Sequence, residues 1–231
     1  MKHGATRTLY QYWDDIRGPR AAPDRGDIHP ASIKSVLGDT FILEVKHPLS
    51  YKFRLAGTRL CSAYCKELKG RDFLIGWSDK DREAISALLS TITTENAAAV
   101  IGIRCESSKG HTLDMEMLLL PVHVRGEGCT RLLGCAVPMQ RPMWLGSTPI
   151  CSQRVTSLRL MWPDDDLDIQ ETPVEVHHFK SIRRSQKKPG VTIDTTPQRD
   201  RPAADAAMAG AIASARRVKH LRVIDGGKHH G

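Results

Sequence analysis

Two cysteines four residues apart, Cys61 and Cys65, are the first residues whose type and spacing could do chemistry. They lie in "TRLCSAYCKELKG", where the threonine and the closing glycine are typical of the two ends of a short helix. Both thiols therefore share one helix face and could supply two zinc ligands, whereas a structural zinc site needs four. The remaining cysteines are scattered and form no second pair: Cys105, Cys129, Cys135 and Cys151. We interpret the thiols as small apolar residues that fill core space, and we predict no metal site.

Haem and flavin would leave other signals in the sequence. Haem needs an axial ligand such as histidine, and the predicted long helix at 79–95 contains no histidine. His111 falls in a predicted turn and His123 in a predicted strand. No short helix combines the Asn, Cys, Arg and Gln of a light-sensing flavin motif. We therefore predict no haem and no flavin, and the identity of any other cofactor stays unknown.

An acid pair is the one candidate for catalysis. Asp114 and Glu116 stand two residues apart in a predicted strand, so both point to one face and could act as general acid and base. Two solvent-facing acids on a sheet explain the pattern equally well. The sequence has no Gly-rich phosphate loop, no "HExxH" and no nucleophile elbow. We predict that the protein is not an enzyme.

The surrounding sequence alternates between helix and strand patterns. Helical spacing in "TRTLYQYWDDIRG" and the run at 79–95 predict two helices, with short helices at "HPASIKSVLGD" and "TRLCSAYCKELKG". "TFILEVKH" and "YKFRLAG" predict a hairpin, with Tyr51, Phe53 and Leu55 on one face. Three further strands follow in "AVIGIRCES", "TLDMEMLLLPV" and "TRLLGCAVPM", while "RVTSLRLMW" fits either a last strand or an extended closing segment. The prediction is a mixed α/β (α+β) fold with a five-stranded antiparallel sheet flanked by helices.

Composition divides the chain into three parts. Residues 1–29 form an N-terminal helix and linker, 30–163 the folded domain, and 164–231 a mostly disordered tail with few bulky apolar residues. The tail begins with six acids and no Lys or Arg before residue 180, and then carries twelve Lys and Arg against four acids. Alanines at 203–224 favour a short helix that folds on a partner, and a weakly helical tail without a partner is an equal alternative.

The charge of the tail suits nucleic acid, an acidic protein or an anionic surface, with a solvated tail as the alternative. "KSIRRSQKKPG" lacks the interleaved aromatics that stack on bases, so nonspecific nucleic-acid binding ranks below protein contact. No run approaches the ~20 apolar residues of a membrane helix, and the start has no apolar signal region. These features predict a cytoplasmic protein without membrane insertion, whose cysteines are reduced.

The order of elements, together with particular stretches of sequence, resembles a known family. "YWDDIRG", "YKFRLAGTRLCSAYCKELKGRDF", "LLLPV" and "LLGCAVPM" are similar to small bacterial proteins made of one PAS domain, which regulate cell-cycle and histidine-kinase signalling. The resemblance covers about residues 9–163 and is most specific from "FRLAGTRL" through "ELKGR". The sequence departs from the family pattern at Cys65, where a glycine or another small residue is expected.

This resemblance implies a PAS-type sensory or interaction module that regulates signalling by protein contact, without catalysis. The implied partner is a histidine kinase or another PAS domain, and a homodimer is a further form of such contact. The first alternative is a small-molecule sensor with its ligand in the cup that the sheet and the short helices enclose. The second is nonspecific nucleic-acid binding through the basic tail.

Two sets of site residues follow from this resemblance. PAS domains commonly dimerise through a helix that precedes the domain, which predicts these contact residues: Leu9, Tyr12, Trp13 and Ile16. Packing of the helix on the sheet of its own chain is the alternative. A ligand in the cup would meet aromatic and charged groups, for which the candidates are Arg54, Tyr64, Trp77 and Arg104. The alternatives are that Trp77 packs the start of a helix and that both arginines lie on the solvent face of their strands.

Overall fold

The computed structural model describes residues 1–46 and 50–163. The helices are α1 (Gly4–Arg17), α2 (Thr58–Ala63) and α3 (Asp79–Glu95), with 3₁₀ turns at Arg25–Asp27, Pro30–Ile33 and Leu37–Asp39. The strands are β1 (Thr40–Lys46), β2 (Ser50–Ala56), β3 (Ala98–Ser107), β4 (Thr112–Val124), β5 (Gly128–Pro138) and β6 (Ile150–Met161). The predicted tail at 164–231 and its short helix at 203–224 lie outside the described residues.

The six strands form one antiparallel sheet in the order β2-β1-β5-β4-β3-β6. The mixed fold and the flanking helices were predicted correctly, but the strand count of five is too low. β6 pairs with β3 from Ile150, opposite Ser107, to Met161, opposite Ala98. Its own residues are mostly polar or half-exposed, so the local pattern left its state open, and the long-range pairing with β3 decides it.

Both faces of the sheet are buried. On β3, Ile101 and Ile103 belong to an inner core, whereas Val100 belongs to an outer core on the opposite face. Alternation along a strand sends successive side chains to opposite faces, so one strand contributes to both cores. The inner core lies under α2, α3 and the chain between them, and the outer core lies under α1 and the 3₁₀ turns.

A bulge in the first hairpin changes the predicted alternation of β2. Ile42 pairs with Leu55 and Leu43 pairs with Phe53, so Arg54 has no direct partner on β1. The extra residue places Leu55 opposite Ile42, which packs against the outer core, while Phe53 stays in the inner core. Leu55 is 47% exposed. The prediction that Leu55 shares a face with Tyr51 and Phe53 is therefore wrong.

Local sequence fixes the ends of the helices. The Nδ1 of His3 accepts the N–H of Ala5 at the start of α1, and the Ser78 hydroxyl accepts the N–H of Asp81 at the start of α3. Asn96 ends α3 in the left-handed conformation, which asparagine tolerates better than most residues. Within the described residues, no helix combines the length and the apolar character that crossing a membrane requires.

Candidate functional site

The inner core forms a cup whose interior is occupied by aromatic side chains of the chain itself. Phe41 lies 5.5 Å from Phe53 and 5.9 Å from Phe73, measured between ring centroids, and Trp77 lies 6.0 Å from Phe73. Such spacings are those of directly packed rings. Gly134 makes room for this cluster, because a Cβ at that position would collide with the ring of Phe41.

The space left in the cup is small. A cavity of about 70 Å³ remains beside the rings, and its lining includes Leu60, Tyr64, Met117 and Gln153. A second space of about 120 Å³ borders Leu60, Ala63, Met115 and Ala136 of the same core. Pockets that hold drug-sized ligands or cofactors measure roughly 300–1,000 Å³. In this arrangement neither space reaches the size of such a pocket.

One polar pair stands in the wall of this cavity. The Tyr64 hydroxyl donates a hydrogen bond of 2.7 Å to Oε1 of Gln153, a residue of β6 that is 5% exposed. Burial raises the pKa of the Tyr64 phenol, with a further increase from the nearby Cys105 thiol. Tyr64 therefore stays a neutral donor, and the pair links the chain after α2 to the edge strand β6.

The four predicted ligand residues divide between the two faces. Tyr64 lines the cavity, and Trp77 is buried in the inner core, where its Nε1 donates to the carbonyl of Phe73. Arg54 and Arg104 lie on the outer face, paired with Glu44 (3.7 Å) and Asp114 (2.7 Å).

The assignment of the two arginines to the cup is therefore corrected. Phe53 and Ile103, which directly precede the two arginines, point into the inner core. The arginines lie on the opposite face, where their charged groups keep contact with solvent. Both arginines lie on the solvent face of their strands, as the alternative predicted.

The cysteines are free thiols with different exposures. Cys61 is half-buried, and Cys65 is exposed and adopts a φ of 51°. Cys105 is buried in the inner core and Cys135 in the outer core, and burial raises the pKa of each thiol to about 12. Within the described residues, no three His, Cys, Asp or Glu side chains gather as a metal site would require.

The backbone at Cys65 explains why glycine was expected there. The N–H of Lys66 bonds to the carbonyl of Cys61 (3.1 Å), and the N–H of Cys65 bonds to the carbonyl of Ser62 (2.9 Å). These are the two bonds of a Schellman motif, whose left-handed residue is most often glycine. The departure from the family pattern therefore lies where the backbone favours a residue without a Cβ.

The predicted contact helix, α1, packs on the outer face of the sheet. Leu9 is 0% and Trp13 is 2% exposed, and the Nε1 of Trp13 donates to the carbonyl of Pro121 at 2.8 Å. Leu9 and Trp13 therefore pack on the sheet of their own chain, which was the alternative to a role in partner contact. Tyr12 and Ile16 are half-buried, and the Tyr12 hydroxyl accepts the N–H of His29 at 2.7 Å.

Asp114 and Glu116 share the outer face, as the alternation predicts, but they do not act as a pair. Asp114 is engaged by Arg104, which lowers the pKa of that carboxyl. Glu116 is 5% exposed and accepts the backbone N–H groups of Lys2 (2.7 Å) and His3 (2.9 Å) and the Thr6 hydroxyl. The solvent-facing interpretation is thus wrong for Glu116, which fastens the start of α1 to β4.

Electrostatics at Glu116 favour the charged carboxylate. Burial raises the pKa of the carboxyl, but the hydrogen bonds from Thr6, Lys2 and His3, with the N-terminal amine nearby, outweigh burial and lower the pKa overall. The group therefore serves as a buried anion at a helix N-terminus, where the helix dipole also favours negative charge.

Sequence reasoning missed Gln153 as a residue of the cup and Glu116 as an anchor. Gln153 had no local signal, since its inward direction depends on the pairing of β6 with β3. For Glu116 a signal was present, because an acid between Met115 and Met117 interrupts an apolar run. A charge inside a buried strand needs a partner, so it points to a tertiary contact.

Comparison with solved structures finds light-oxygen-voltage (LOV) domains. A LOV protein of Rhodobacter sphaeroides shares 15% identity at a TM-score of 0.36, over 45% of this chain and 60% of its own length. The LOV domain of a blue-light-activated histidine kinase from Erythrobacter litoralis shares 15% identity at a TM-score of 0.35, over 44% of this chain and 95% of that domain. The chain thus spans less than two thirds of the first of these relatives. No curated protein matches it.

A family model described as PAS domain matches residues 1–137, which is more than half of the chain. The match includes the three helices, the first hairpin, strands β3 and β4 and all of β5 except Pro138, and β6 lies beyond it. The likeness inferred from "YKFRLAGTRLCSAYCKELKGRDF" falls within these residues. The chain belongs to the PAS domain family.

Proposed function

We propose that this PAS domain regulates signalling by contact with another protein and catalyses no reaction. One observation carries the proposal: aromatic side chains of the chain itself fill the cup, and the two spaces found against the inner core measure about 70 and 120 Å³. A sensor that works through a bound cofactor needs a larger pocket, of roughly 300–1,000 Å³. The signal therefore passes through the surface of the domain.

The contact surface includes the outer side of α1. Leu9 and Trp13 hold the helix on the sheet, while Tyr12 and Ile16 remain partly accessible beside it. Partly exposed apolar side chains on a rigid helix are typical of contact sites. The class of partner implied by the family resemblance is a histidine kinase or another PAS domain, including a second copy of this chain.

A second candidate function is a small-molecule sensor, favoured by the polar pair Tyr64–Gln153 in the wall of the cup. A compact polar ligand would replace this hydrogen bond with bonds of its own. It would also have to displace Phe73 or Trp77, since both rings occupy the interior.

The two functions are separated by the contents of the purified full-length protein. Mass spectrometry of the denatured protein and an absorbance spectrum of the native protein would report any bound molecule. We expect no stoichiometric ligand. A ligand present at one equivalent per chain would overturn the contact proposal in favour of the sensor.

The contact surface is tested by site-specific photocrosslinking. A photoreactive amino acid at Ile16 should crosslink to an added histidine kinase, an added PAS domain or a second copy of the chain. The matched control carries the same group at Lys80, an exposed position on α3. Crosslinking that is equal at both positions would contradict a specific role for α1.

A further inference from the structure

The outer face of the first hairpin gathers cations around a single carboxylate, that of Glu44 on β1. Its Oε1 lies 3.0 Å from the guanidinium of Arg131 and 3.7 Å from that of Arg54. Its Oε2 lies 3.5 Å from the amine of Lys46, and Lys52 stands directly opposite on β2. These five residues form what we call the hairpin patch, in which four positive charges surround one negative charge.

The acid next to the hairpin patch does not balance these charges. Asp72 pairs with Lys52 across the far edge of β2, but its Oδ1 accepts the N–H of Leu74 at 2.8 Å. Within residues 1–46 and 50–163, Lys52 forms no ion pair. Even with Asp72 included, the cations exceed the acids by two. Because like charges at this separation repel each other, an additional anion is favoured at the patch.

The hairpin patch is open to solvent. The side chains of Lys46 and Arg54 are 68% and 61% exposed, and Lys52 is exposed as well. The helix that covers the outer face, α1, packs against β4 and β5. The hairpin end of this face is therefore accessible to another molecule.

The bulge in β2 places an apolar side chain beside these cations. It brings Leu55, the neighbour of Arg54 in the chain, to a position opposite Ile42 on the outer face, where 47% of Leu55 is exposed. A single exposed leucine is ordinary on a protein surface. Next to a cationic cluster, however, it forms a mixed apolar and charged surface, and protein interfaces combine these two kinds of contact.

The arrangement favours a carboxylate over a chain of phosphates. The cations converge on one point at ion-pair distances, whereas a nucleic-acid strand offers its charges in a regular line. Membrane binding by a surface helix uses a whole apolar face, and the patch has one half-exposed leucine. We propose that the hairpin patch binds a segment of another protein in which an acidic residue neighbours an apolar one. The carboxylate meets the cations around Glu44, and the apolar side chain packs against Leu55.

The charge of the chain favours a partner other than a second copy of the domain. Residues 1–163 hold 22 Lys and Arg against 16 Asp and Glu, so two such domains carry charge of the same sign. The inference deepens the proposed function, on which its role in signalling rests. It assigns the chemistry of the partner at a surface separate from α1.

An NMR titration of the full-length protein with a synthetic peptide tests the proposal. The peptide has a leucine between two glutamates, and the control peptide has glutamines in place of the glutamates. We expect the acidic peptide to shift the amide signals of β2 and of Lys46, and the control peptide to leave them in place. Shifts confined to residues from Lys180 onward would show that the basic tail binds the peptide, which would overturn the proposal.

Neutralisation of the patch tests its part in binding. Lys52→Gln/Arg54→Gln should weaken the affinity for the acidic peptide about three- to ten-fold, while Glu44 keeps its other two partners. The matched control, Lys80→Gln/Lys109→Gln, removes two charges from exposed positions on α3 and in the turn before β4, and should leave the affinity unchanged. Equal weakening in both variants would mean that only net charge matters, which would overturn the proposal.

Charge reversal and competing anions test the chemistry of the partner. Lys52→Glu/Arg54→Glu should lose the acidic peptide and bind a peptide with lysines in place of the glutamates. Unchanged α3 amides would show that the variant is folded, and a folded variant that retains the acidic peptide would contradict the proposal. Duplex DNA or phosphatidylglycerol vesicles that shift the β2 amides at lower concentration than the peptide would overturn it in favour of a phosphate-bearing partner.

The outcome can be distinguished from failure of the proposed function. A stoichiometric ligand in the purified protein would overturn signalling by contact, whether or not the peptide binds at the hairpin. A peptide that leaves β2 unchanged would overturn the hairpin patch as a docking surface, and crosslinking at Ile16 would still report on α1.

Discussion

The two faces of the sheet are buried in different ways, although the same strands carry both. The inner face is closed by ring packing among Phe41, Phe53, Phe73 and Trp77. The outer face is closed by α1, which is held at one end by the Glu116 carboxylate and further along by the bond from Trp13 to the carbonyl of Pro121.

This difference predicts how each face responds to mutation and to a change of pH. Packing of apolar rings dominates the inner face, so its main response to mutation is the opening of space. On the outer face, α1 is held by the Glu116 carboxylate and by the hydrogen bond from Trp13 to Pro121. Loss of these bonds would release the helix, and the contribution of Glu116 depends on its charge and therefore on pH. The outer face is therefore the better place for a contact that can be made and broken.

Truncation of the cores should give the largest effects. Phe73→Ala and Trp13→Ala should each lower the free energy of unfolding by about 3–5 kcal/mol, measured by urea denaturation of the full-length protein. Phe73→Leu serves as control and should cost much less. A loss below about 1 kcal/mol for Trp13→Ala would mean that α1 is not part of the cooperative unit.

Phe73→Ala and Trp13→Ala also test whether the two faces differ in how they are held. Phe73→Ala enlarges the space among the buried rings, which should take up benzene and raise the melting temperature of the variant. Trp13→Ala leaves the carbonyl of Pro121 without its donor and should gain nothing from benzene. Equal stabilisation of both variants by benzene would contradict the contrast.

Loss of the buried anchor should have the next largest effect. Glu116→Gln keeps the shape but removes the charge that three donors share, and we expect a loss of about 1–3 kcal/mol at neutral pH. Asp114→Asn is the matched control, because Asp114 lies on the same strand and face but is exposed. A similar decrease in the free energy of unfolding in both variants would show that Glu116 does not anchor α1.

The pH dependence of this effect has a defined sign. The pKa of Glu116 in the folded protein lies below the ordinary value of 4.5, so its stabilisation is complete above that value and is lost as the pH falls through the folded pKa. The stability gap between the wild type and Glu116→Gln should therefore close in acid. A gap that is constant with pH would mean that the charge is irrelevant.

A stabilising change is expected at Cys65. Cys65→Gly should raise the free energy of unfolding by about 0.5–1 kcal/mol, because glycine adopts a positive φ without steric cost. Cys65→Ala keeps the Cβ and should show no comparable gain. If alanine stabilises as much as glycine, the backbone conformation is not the cause.

The smallest effect on stability is expected from Arg104→Gln, because the guanidinium and its partner are both well exposed to solvent. The local effect should nevertheless be visible. NMR titration of Asp114 should show that its pKa rises when Arg104 is removed, whereas Arg7→Gln should leave it unchanged. An unmoved pKa of Asp114 in Arg104→Gln would exclude the pair as the cause of the shift.

Most of the fold could be predicted from the sequence, since its signals are local. The helical spacing of Leu9 and Trp13 and the run of α3 each report one buried face. The glycine that the family pattern places at position 65 indicated a positive φ there, and Cys65 has a φ of 51°. The candidate site was predicted less well: Tyr64 lies at the cavity and Trp77 in the inner core, but Arg54 and Arg104 lie outside.

The misplaced residues share a cause. Which face of a strand is inward depends on what covers it, and a single bulge at Arg54 is enough to move Leu55 to the other side. The state of β6 and the place of Gln153 depend on β3, about 50 residues earlier in the chain. These facts involve contacts distant in sequence, for which a local pattern carries no information.

The sequence by itself thus determined most of the elements, their order and the family, because periodicity, caps and turn residues act over a few positions. The tertiary structure decided what the elements enclose. It filled the cup with Phe41, Phe53 and Phe73, buried Glu116 under the start of α1, and turned Gln153 of β6 toward Tyr64. Packing and long-range pairing set these features, since volume and hydrogen-bond partners are shared between segments that meet only in the folded chain.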